Sequence, residues 1–545
     1  MGVNLDDIIG NKKQDILVDK TKRTMNFLLI GVAVVIVLIA IVAIRMMMRS
    51  SEIKTVQEAA MITRDAEKIS NAIVKRYAES KQTNNPSLLI GDRQDTDSMI
   101  NSKRYVQLVC GGNELSFMYG YYYLNKDQVS SLINNAPLEL PSEYVVNYST
   151  GEVVNLKGVK WKGKTYYEVD DLSAIARNEV PPCDNTITIN SPDDMKKFAQ
   201  YPNAIYRLNR DIDMAAFNGG NGWTPIPVFS GKFYGRGYKI RNLKINNSSL
   251  DHAGLFGTIT ADALIDNLVL ENIDVAGGDF VGAIAGSCSG RISNCVVTGN
   301  VYSTGRYAGG LFGNFEGTAQ NIKSGVKVRG AQYVGGFAGQ VTGGTILQCC
   351  VKGDNLTVTG NEDNIGGFIG LVQSNRDISI NESCAVATIS GVERVGGLIG
   401  RINASDSMYQ ILIENCYSQG SITKCDKSAG GFVGEISSVG RSNINLNYNY
   451  TTCKPTPSVR EARGGFVGSV AAQSEPSVKY CYWERQQVTD SALSENGVGY
   501  QQDNTVIFDP LSPEAIRLQT SFSGWDSVIK YWRFDNKTAP ILSWE

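Results

Sequence analysis

The chain has 545 residues, 42% hydrophobic and 19% charged, with 52 basic against 54 acidic side chains and a formal charge of −2. It is too apolar to be disordered, long enough for several modules, and too evenly charged to call for nucleic acid as a partner. Its one histidine, His252, excludes Ser-His triads and multi-histidine zinc sites, and itself reads as a loop residue.

Residues 1–23 form a short polar tail. The 21 residues 24–44 carry no charge, and a helix of that length spans about 31 Å, the thickness of a bilayer core. A transmembrane helix is therefore expected over 24–45. Five basic residues precede it (Lys12, Lys13, Lys20, Lys22, Arg23) and four follow (Arg45, Arg49, Lys54, Arg64), which favours the N-terminus inside and the rest exported.

Over 46–174 the apolar residues become striped. Ile62, Ala66, Ile69, Ile73 and Tyr77 share one helical face, with Arg64, Asp65, Glu67, Lys68, Lys75 and Arg76 elsewhere, so an amphipathic helix runs to about Ser80. Strands are expected at Tyr105–Cys110, Leu115–Tyr123 and Thr165–Val169, with a hairpin from Tyr144–Tyr148 through Ser149-Thr150-Gly151 to Val153–Leu156. A half-membrane, half-amphipathic helix followed by a small antiparallel sheet resembles the plan of type IV pilins and pseudopilins over about 24–172, and the hairpin resembles segments of such proteins from Gram-positive bacteria. The resemblance implies a small α+β pilin-like domain and a pilus-like assembly. Lys22-Arg23-Thr24 stands where pilins carry a Gly-Phe-type cleavage site, and no acid lies in 24–44, so a plain anchor with a stalk domain stays open.

Pro181-Pro182 stiffens a linker over 175–186. A capping segment follows over 187–250, where Ser191 is placed to cap a short helix across Pro192–Gln200 and cover the open end of what comes next. Residues 251–485 then repeat one glycine phrase: AGLFG (253–257), VGAIAG (281–286), AGGLFG (308–313), VGGFAG (334–339), IGGFIG (365–370), VGGLIG (395–400), AGGFVG (429–434) and RGGFVG (463–468). Their last glycines are 26 to 34 residues apart, the period of a unit that must stack on its neighbours to bury its apolar face. Within one unit, Val334–Val341, Thr345–Val351 and Leu356–Thr359 are three strand-length runs, which makes a three-sided coil with rungs about 4.8 Å apart. Leu311, Phe337, Phe368, Leu398, Phe432 and Phe466 are expected to stack inside it. Residues 486–545 close the domain.

The opening segment, the repeats and the ending Trp532-Arg533-Phe534 … Ala539-Pro540-Ile541-Leu542-Ser543-Trp544 together resemble GLUG-motif proteins of bacterial cell surfaces over about 185–545. The resemblance implies a right-handed parallel β-helix and a surface protein or adhesin. Some members are attached to peptidase domains, for which no HExxH is present here.

Of eleven cysteines, Cys295, Cys349, Cys384, Cys416 and Cys481 recur in NCxxxG-like phrases, which suggests a buried thiol row, with structural disulfides as the alternative. No CxxC pair points to a metal, and no cofactor is expected. Asp262, Asp266, Asp274, Asp279, Glu316, Asp354, Asp363, Glu382 and Glu393 read as solvated turn residues, and no catalytic pair is assigned.

The turn before each phrase varies in chemistry at a fixed register: Asp279-Phe280, Arg306-Tyr307, Gln332-Tyr333, Asp363-Asn364, Glu393-Arg394 and Lys427-Ser428. Stacking would align these residues as a polar and aromatic strip suited to an extracellular glycan or a host-surface protein. The expected protein is thus a non-enzymatic, single-pass bacterial surface adhesin or binding protein with its C-terminal domain outside. A polysaccharide lyase or glycosidase on the same fold is the alternative.

Overall fold

The computed structural model describes residues 50–545 apart from 81–84, 94–106, 109–115, 118–121, 149–150, 180, 182–185, 405–407, 439–442, 456–461, 473, 486–496 and 503–505, together with a few positions between 36 and 46. The expected membrane span over 24–45 falls almost wholly outside these residues. Among the described residues, no helix is long and apolar enough to cross a membrane.

Residues 50–80 are helical, and Ala59, Ile62, Ala66, Ile69 and Ile73 are buried along one side. That side packs on a five-stranded antiparallel sheet ordered Asp92–Arg93, Tyr122–Leu124, Tyr144–Asn147, Glu152–Trp161, Lys164–Glu168. The hairpin turns at Gly151, whose φ of +78° suits glycine, and a Cβ there would lie 2.9 Å from Val74 of the helix. Asp65, placed by the sequence pattern on the polar side, is instead 0% exposed. Its carboxylate accepts from the backbone N–H groups of Glu139 (2.9 Å) and Leu140 (2.7 Å), so it ties the helix to a loop that periodicity does not see. A helix over Val169–Ala176 also replaces the end of the strand expected at Thr165–Val169.

Beyond this lies a β-solenoid of about nine turns. Its strands pair in parallel, coil on coil, into a ten-stranded sheet from Ile226–Phe229 to Val498–Gln501, a six-stranded sheet from Arg306–Gly309 to Ala462–Gly464, and a bent 22-stranded sheet around the remaining sides. From the third copy on, each glycine phrase, expected as one run, is two strands with a corner between them: Gln332–Gly335 and Ala338–Val341 flank Gly336-Phe337. The expected second and third runs merge into one long strand, Gly344–Gly360, which turns its corner at Gln348 with φ +55°.

Crowding explains the paired glycines. A Cβ on Gly335, Gly366 or Gly396 would lie 2.2, 2.0 or 1.9 Å from a backbone oxygen across the corner, and one on Gly310 or Gly397 would lie 2.0 or 1.8 Å from a glycine carbonyl of the next coil. The large residue after each pair points inward. Leu311, Phe337, Phe368, Leu398, Phe432 and Phe466 are all buried, with Phe337 and Phe368 stacked at 4.8 Å and Phe432 and Phe466 at 4.6 Å. Each such side chain contributes about 2–3 kcal/mol of burial.

At the corner opposite, Asn267, Asn294, Asn321, Gln348, Glu382 and Asn415 repeat a left-handed conformation, and Asn321 donates to Asn294, which donates to Asp266, both at 2.8 Å. Asp266 and Glu382 therefore belong to a corner ladder and are not solvated turn acids. Burial lifts the Asp266 carboxyl above its usual range, against the hydrogen bonds from Ser293 and Asn294. The inward residue after this corner is the thiol slot filled by Cys295, Cys349, Cys416 and Cys481, all buried. Cys384 is not in that slot. In Asn381-Glu382-Ser383-Cys384, Glu382 takes the corner and Ser383 the inward place, so Cys384 pairs one position later, with Cys350, to which it is disulfide-bonded.

The Phe198 ring plugs the first coil, stacked on Tyr206 at 3.9 Å and edge-on to Phe229. Its helical segment is capped by Ser191 and Asp194 in a reciprocal capping box. The C-terminal segment lies along the outer face. Phe522, Trp525, Trp532 and Leu542 cover the row Tyr417, Tyr450, Tyr482, and the Trp544 indole donates to the Glu382 carbonyl at 2.9 Å.

Candidate functional site

One edge of the solenoid carries the residues that vary. His252, Phe280, Tyr307, Tyr333, Asn364 and Arg394 each sit two residues before the first glycine of a phrase, and all are left-handed, with φ between 53° and 65°. That conformation strains side-chain-bearing residues, and the last glycine of the following phrase shows what fixes it. A Cβ on Gly339 would lie 2.5 Å from the carbonyl carbon of Tyr307, and Gly313, Gly370, Gly400 and Gly434 meet Phe280, Tyr333, Asn364 and Arg394 at 2.5 to 2.6 Å. The phrase that builds the coil thus also seats the corner residue of the coil before it.

The seated rings lie face to face. His252 and Phe280 stack at 4.9 Å, Phe280 and Tyr307 at 4.6 Å, and Tyr307 and Tyr333 at 4.8 Å, with interplanar angles of 8° to 11°, the rung spacing repeated in side chains. Most ring faces are used by neighbouring rings, so the strip presents ring edges and phenol hydroxyls. His252, read as an isolated loop residue, is the first member of the row, and its Nδ1 lies 3.2 Å from the Ser287 hydroxyl.

Farther along, the row becomes ionic. Arg394 meets Asp363 (2.7 Å), Glu393 (3.4 Å) and Glu435 (3.1 Å); Arg401 meets the other oxygen of Glu435 (2.8 Å), and Lys427 pairs with Glu393. Burial pulls the Arg394 guanidinium down, but Glu435 and Asp363 outweigh it and hold the group more firmly protonated than an ordinary arginine. Nearer the start, the Asp279 carboxylate accepts from the Arg306 backbone N–H at 2.7 Å and pairs with its guanidinium at 3.3 Å. Gln332 sits in the same rank, between Arg306 and Asp363. Asn364 departs from the expected strip: it is 2% exposed, so it lies beneath the edge and not on it.

The structure also brings in a second row that the sequence reading missed, the residue immediately after each last glycine. Thr258, Ser287, Asn314, Gln340, Leu371, Arg401, Glu435 and Ser469 pair in succession along the ten-stranded sheet and flank the corner row, and Tyr500, after Gly499 on the coil beyond the last phrase, continues it. After Arg394 the corner row shrinks to Ser428 and Ala462, paired on neighbouring coils, while the flanking row shrinks to Ser469. A cleft of about 370 Å³ opens there, with Glu393, Arg394 and Glu435 on one wall, Lys427 on the rim and Tyr500 opposite. The Ser428 hydroxyl donates at its floor and lies 2.8 Å from the Gly434 carbonyl and 2.9 Å from the Ser469 hydroxyl.

Among the described residues, Cys350, Cys384 and Glu545 also bring metal-ligating atoms close together. The two sulfurs are bonded to each other, and the Glu545 carboxylate accepts from Tyr417 at 2.8 Å and Lys352 at 3.0 Å, so the cluster reads as a brace for the C-terminal segment.

No family model matches the chain. A stretch of 312 residues, 53% of the chain, is 31% identical to halomucin of Haloquadratum walsbyi. An alignment of 192 residues (32% of the chain) is 31% identical to an immunoglobulin A1 protease of Streptococcus sanguinis, and one of 101 residues (17%) is 39% identical to a protein of Evansella cellulosilytica described as a Gly-rich membrane protein. These matches span 3%, 10% and 12% of those proteins' own lengths. A crystal structure from Bacteroides ovatus, described as an immunoglobulin A1 protease, covers 66% of this chain and 92% of its own at 20% identity, with a TM-score of 0.38, too low to equate the two folds.

Proposed function

We propose that the protein is a bacterial cell-surface binding protein, held by a membrane helix over 24–45 with its N-terminus inside, whose exported solenoid binds a glycan or protein along the corner edge. The carrying observation is that edge. On a scaffold whose glycines and interior repeat coil after coil, the corner residue runs from aromatic to ionic to small at constant register, and the flanking row varies beside it. Variable side chains on a repeated rigid scaffold are how solenoids make extended recognition surfaces. The names of the relatives, a mucin, a protease and a membrane protein, suit a surface setting. In this reading the coil is right-handed and of the GLUG type, and the helix-on-sheet domain is a pilin-like or stalk module that carries it clear of the membrane, with pilus-like assembly as one use.

A second reading, polysaccharide cleavage, draws on Glu393 and Glu435 lining one cleft. Glu435 is held by both Arg394 and Arg401, which suits a hydrogen-bond acceptor better than a proton donor. A two-histidine zinc peptidase is excluded within these 545 residues by the single histidine.

The test is attachment of cells displaying the full chain to glycan- and protein-coated surfaces. Tyr307→Asn with Tyr333→Asn keeps corner residues that tolerate the left-handed conformation while deleting the rings, and should lower attachment severalfold. Unchanged attachment would remove the edge from the binding surface, and release of sugar fragments from a coated polysaccharide would favour the enzymatic reading.

A further inference from the structure

We infer that the cleft between Arg394 and Tyr500 is a subsite for uncharged sugar residues of a saccharide chain, an inference that rests on the corner edge being a ligand surface. Three independent features of the cleft point to that chemistry. Its shape comes from small residues on two adjacent coils of the corner row, Ser428 and Ala462, and from Ser469 in the flanking row, which follows the larger Glu435. A gap two rungs long measures about 10 Å, and a volume of about 370 Å³ falls at the lower end of the range for small-molecule sites.

Its far wall supplies the second feature. Tyr500 is 60% exposed, and among the described residues no aromatic ring stacks on it, whereas Phe280 and Tyr307 are each sandwiched between neighbouring rings. Its face is open to the apolar C–H side of a sugar ring, a contact that the sandwiched Phe280 and Tyr307 cannot offer.

Charge decides the class. The wall and rim hold two carboxylates, Glu393 and Glu435, and two cations, Arg394 and Lys427, paired with one another. An anionic ligand arriving here meets the two carboxylates, and a cationic one meets the guanidinium and ammonium. Each group nevertheless keeps hydrogen-bonding capacity beyond its ion pair: an ammonium has three N–H donors, a guanidinium five, and a carboxylate about four acceptor positions. A neutral polyol, whose every hydroxyl both donates and accepts, can use donors and acceptors set side by side without carrying charge into the network. The serine hydroxyls at the floor extend the same alternation inward.

The experiment applies the full chain to arrayed saccharides grouped as neutral, uronate- or sialate-bearing, and amine-bearing, and then titrates the best binder by calorimetry. Neutral saccharides should bind best. Tyr500→Ala should weaken binding about tenfold, the worth of one good aromatic contact, and Ser469→Trp, which fills the gap, should weaken it at least as much. Tyr500 lies in the last strand of its sheet, so its alanine variant tests the site even if the tryptophan variant misfolds. A preference for charged saccharides, neutral binding indifferent to Tyr500→Ala, or no saccharide binding at all would overturn the subsite. Cell attachment that survives Tyr500→Ala but is lost with Tyr307→Asn and Tyr333→Asn would overturn it while leaving the edge as the binding surface.

Discussion

Replacing Gly339 by alanine tests the link between the glycine phrase and the corner it seats. The added methyl would lie 2.5 Å from the Tyr307 carbonyl carbon, 2.7 Å from its Cα and 2.8 Å from the Ala308 nitrogen, all backbone atoms of the neighbouring coil. The nearest is roughly 0.9 Å inside ordinary van der Waals contact, and no side-chain rotation relieves it, so the two coils must part locally. Overpacking of this kind costs about 3 kcal/mol, which lowers the melting temperature by about 4 °C in a domain of this size. Because solenoid stability is a sum over neighbouring units, the melt should also broaden. Gly353→Ala is the control, since a Cβ there meets nothing closer than the Gly325 Cα at 3.5 Å, and its change should stay within about 0.5 kcal/mol. Thermal melts of the full chain followed by far-ultraviolet circular dichroism read both. Equal melting temperatures for the two variants would refute the argument that crowding, coil against coil, demands the glycine.

Other expectations follow from the core and its caps. Phe368→Ala removes one member of the interior ladder and should cost about 3–5 kcal/mol, read as a lower urea midpoint. Cys288, Cys295, Cys349, Cys416, Cys425, Cys453 and Cys481 are buried free thiols, and burial pushes Cys288, Cys349, Cys453 and Cys481 up to about 12, so peptide mapping should find all seven unalkylated in native protein and labelled after denaturation. At the solenoid's first coil, burial would raise the Asp194 carboxyl, but the Lys197 ammonium and the Asn190 and Ser191 groups prevail and hold it at about 2, below its ordinary 3.8. The folded value is the lower one, so the stabilisation, about 2 kcal/mol, is complete above pH 3.8 and disappears as the pH falls towards 2. Asp194→Asn should flatten acid unfolding in that window.

The period of the glycine phrases, the inward ladder from Leu311 to Phe466 and the alignment of Tyr307 with Tyr333 are legible in the sequence because each depends on spacing within one repeat. What escapes is set by pairing between repeats or by contacts far along the chain. Ser469 follows the last glycine of its phrase, as Glu435 does, and is legible from the repeats, whereas Tyr500 follows Gly499, outside every phrase, and only its pairing with Ser469 places it in the row. Cys384 is one residue out of its apparent slot because Ser383 takes the inward place directly after the corner residue Glu382. Asp65 looks solvated on a helical wheel but is buried under residues 139 and 140, more than 70 positions away. The Tyr417, Tyr450, Tyr482 row faces outward, and its burial depends on Trp525 and Trp532 of a segment that carries no repeat of its own.

Everything proposed for the edge depends on Tyr307 and Tyr333 standing one coil apart at the same corner. Tyr307→Cys combined with Tyr333→Cys tests this directly, because neighbouring rungs about 4.8 Å apart lie within reach of a disulfide. Mild oxidation of the full chain should join the two introduced sulfurs within one molecule, detected as a cross-linked peptide by mass spectrometry. Tyr307→Cys combined with Asn364→Cys, two rungs apart at about 9.6 Å, should stay reduced. Bridging in the second pair and not the first would contradict the register on which the edge, the cleft and the proposed function rest.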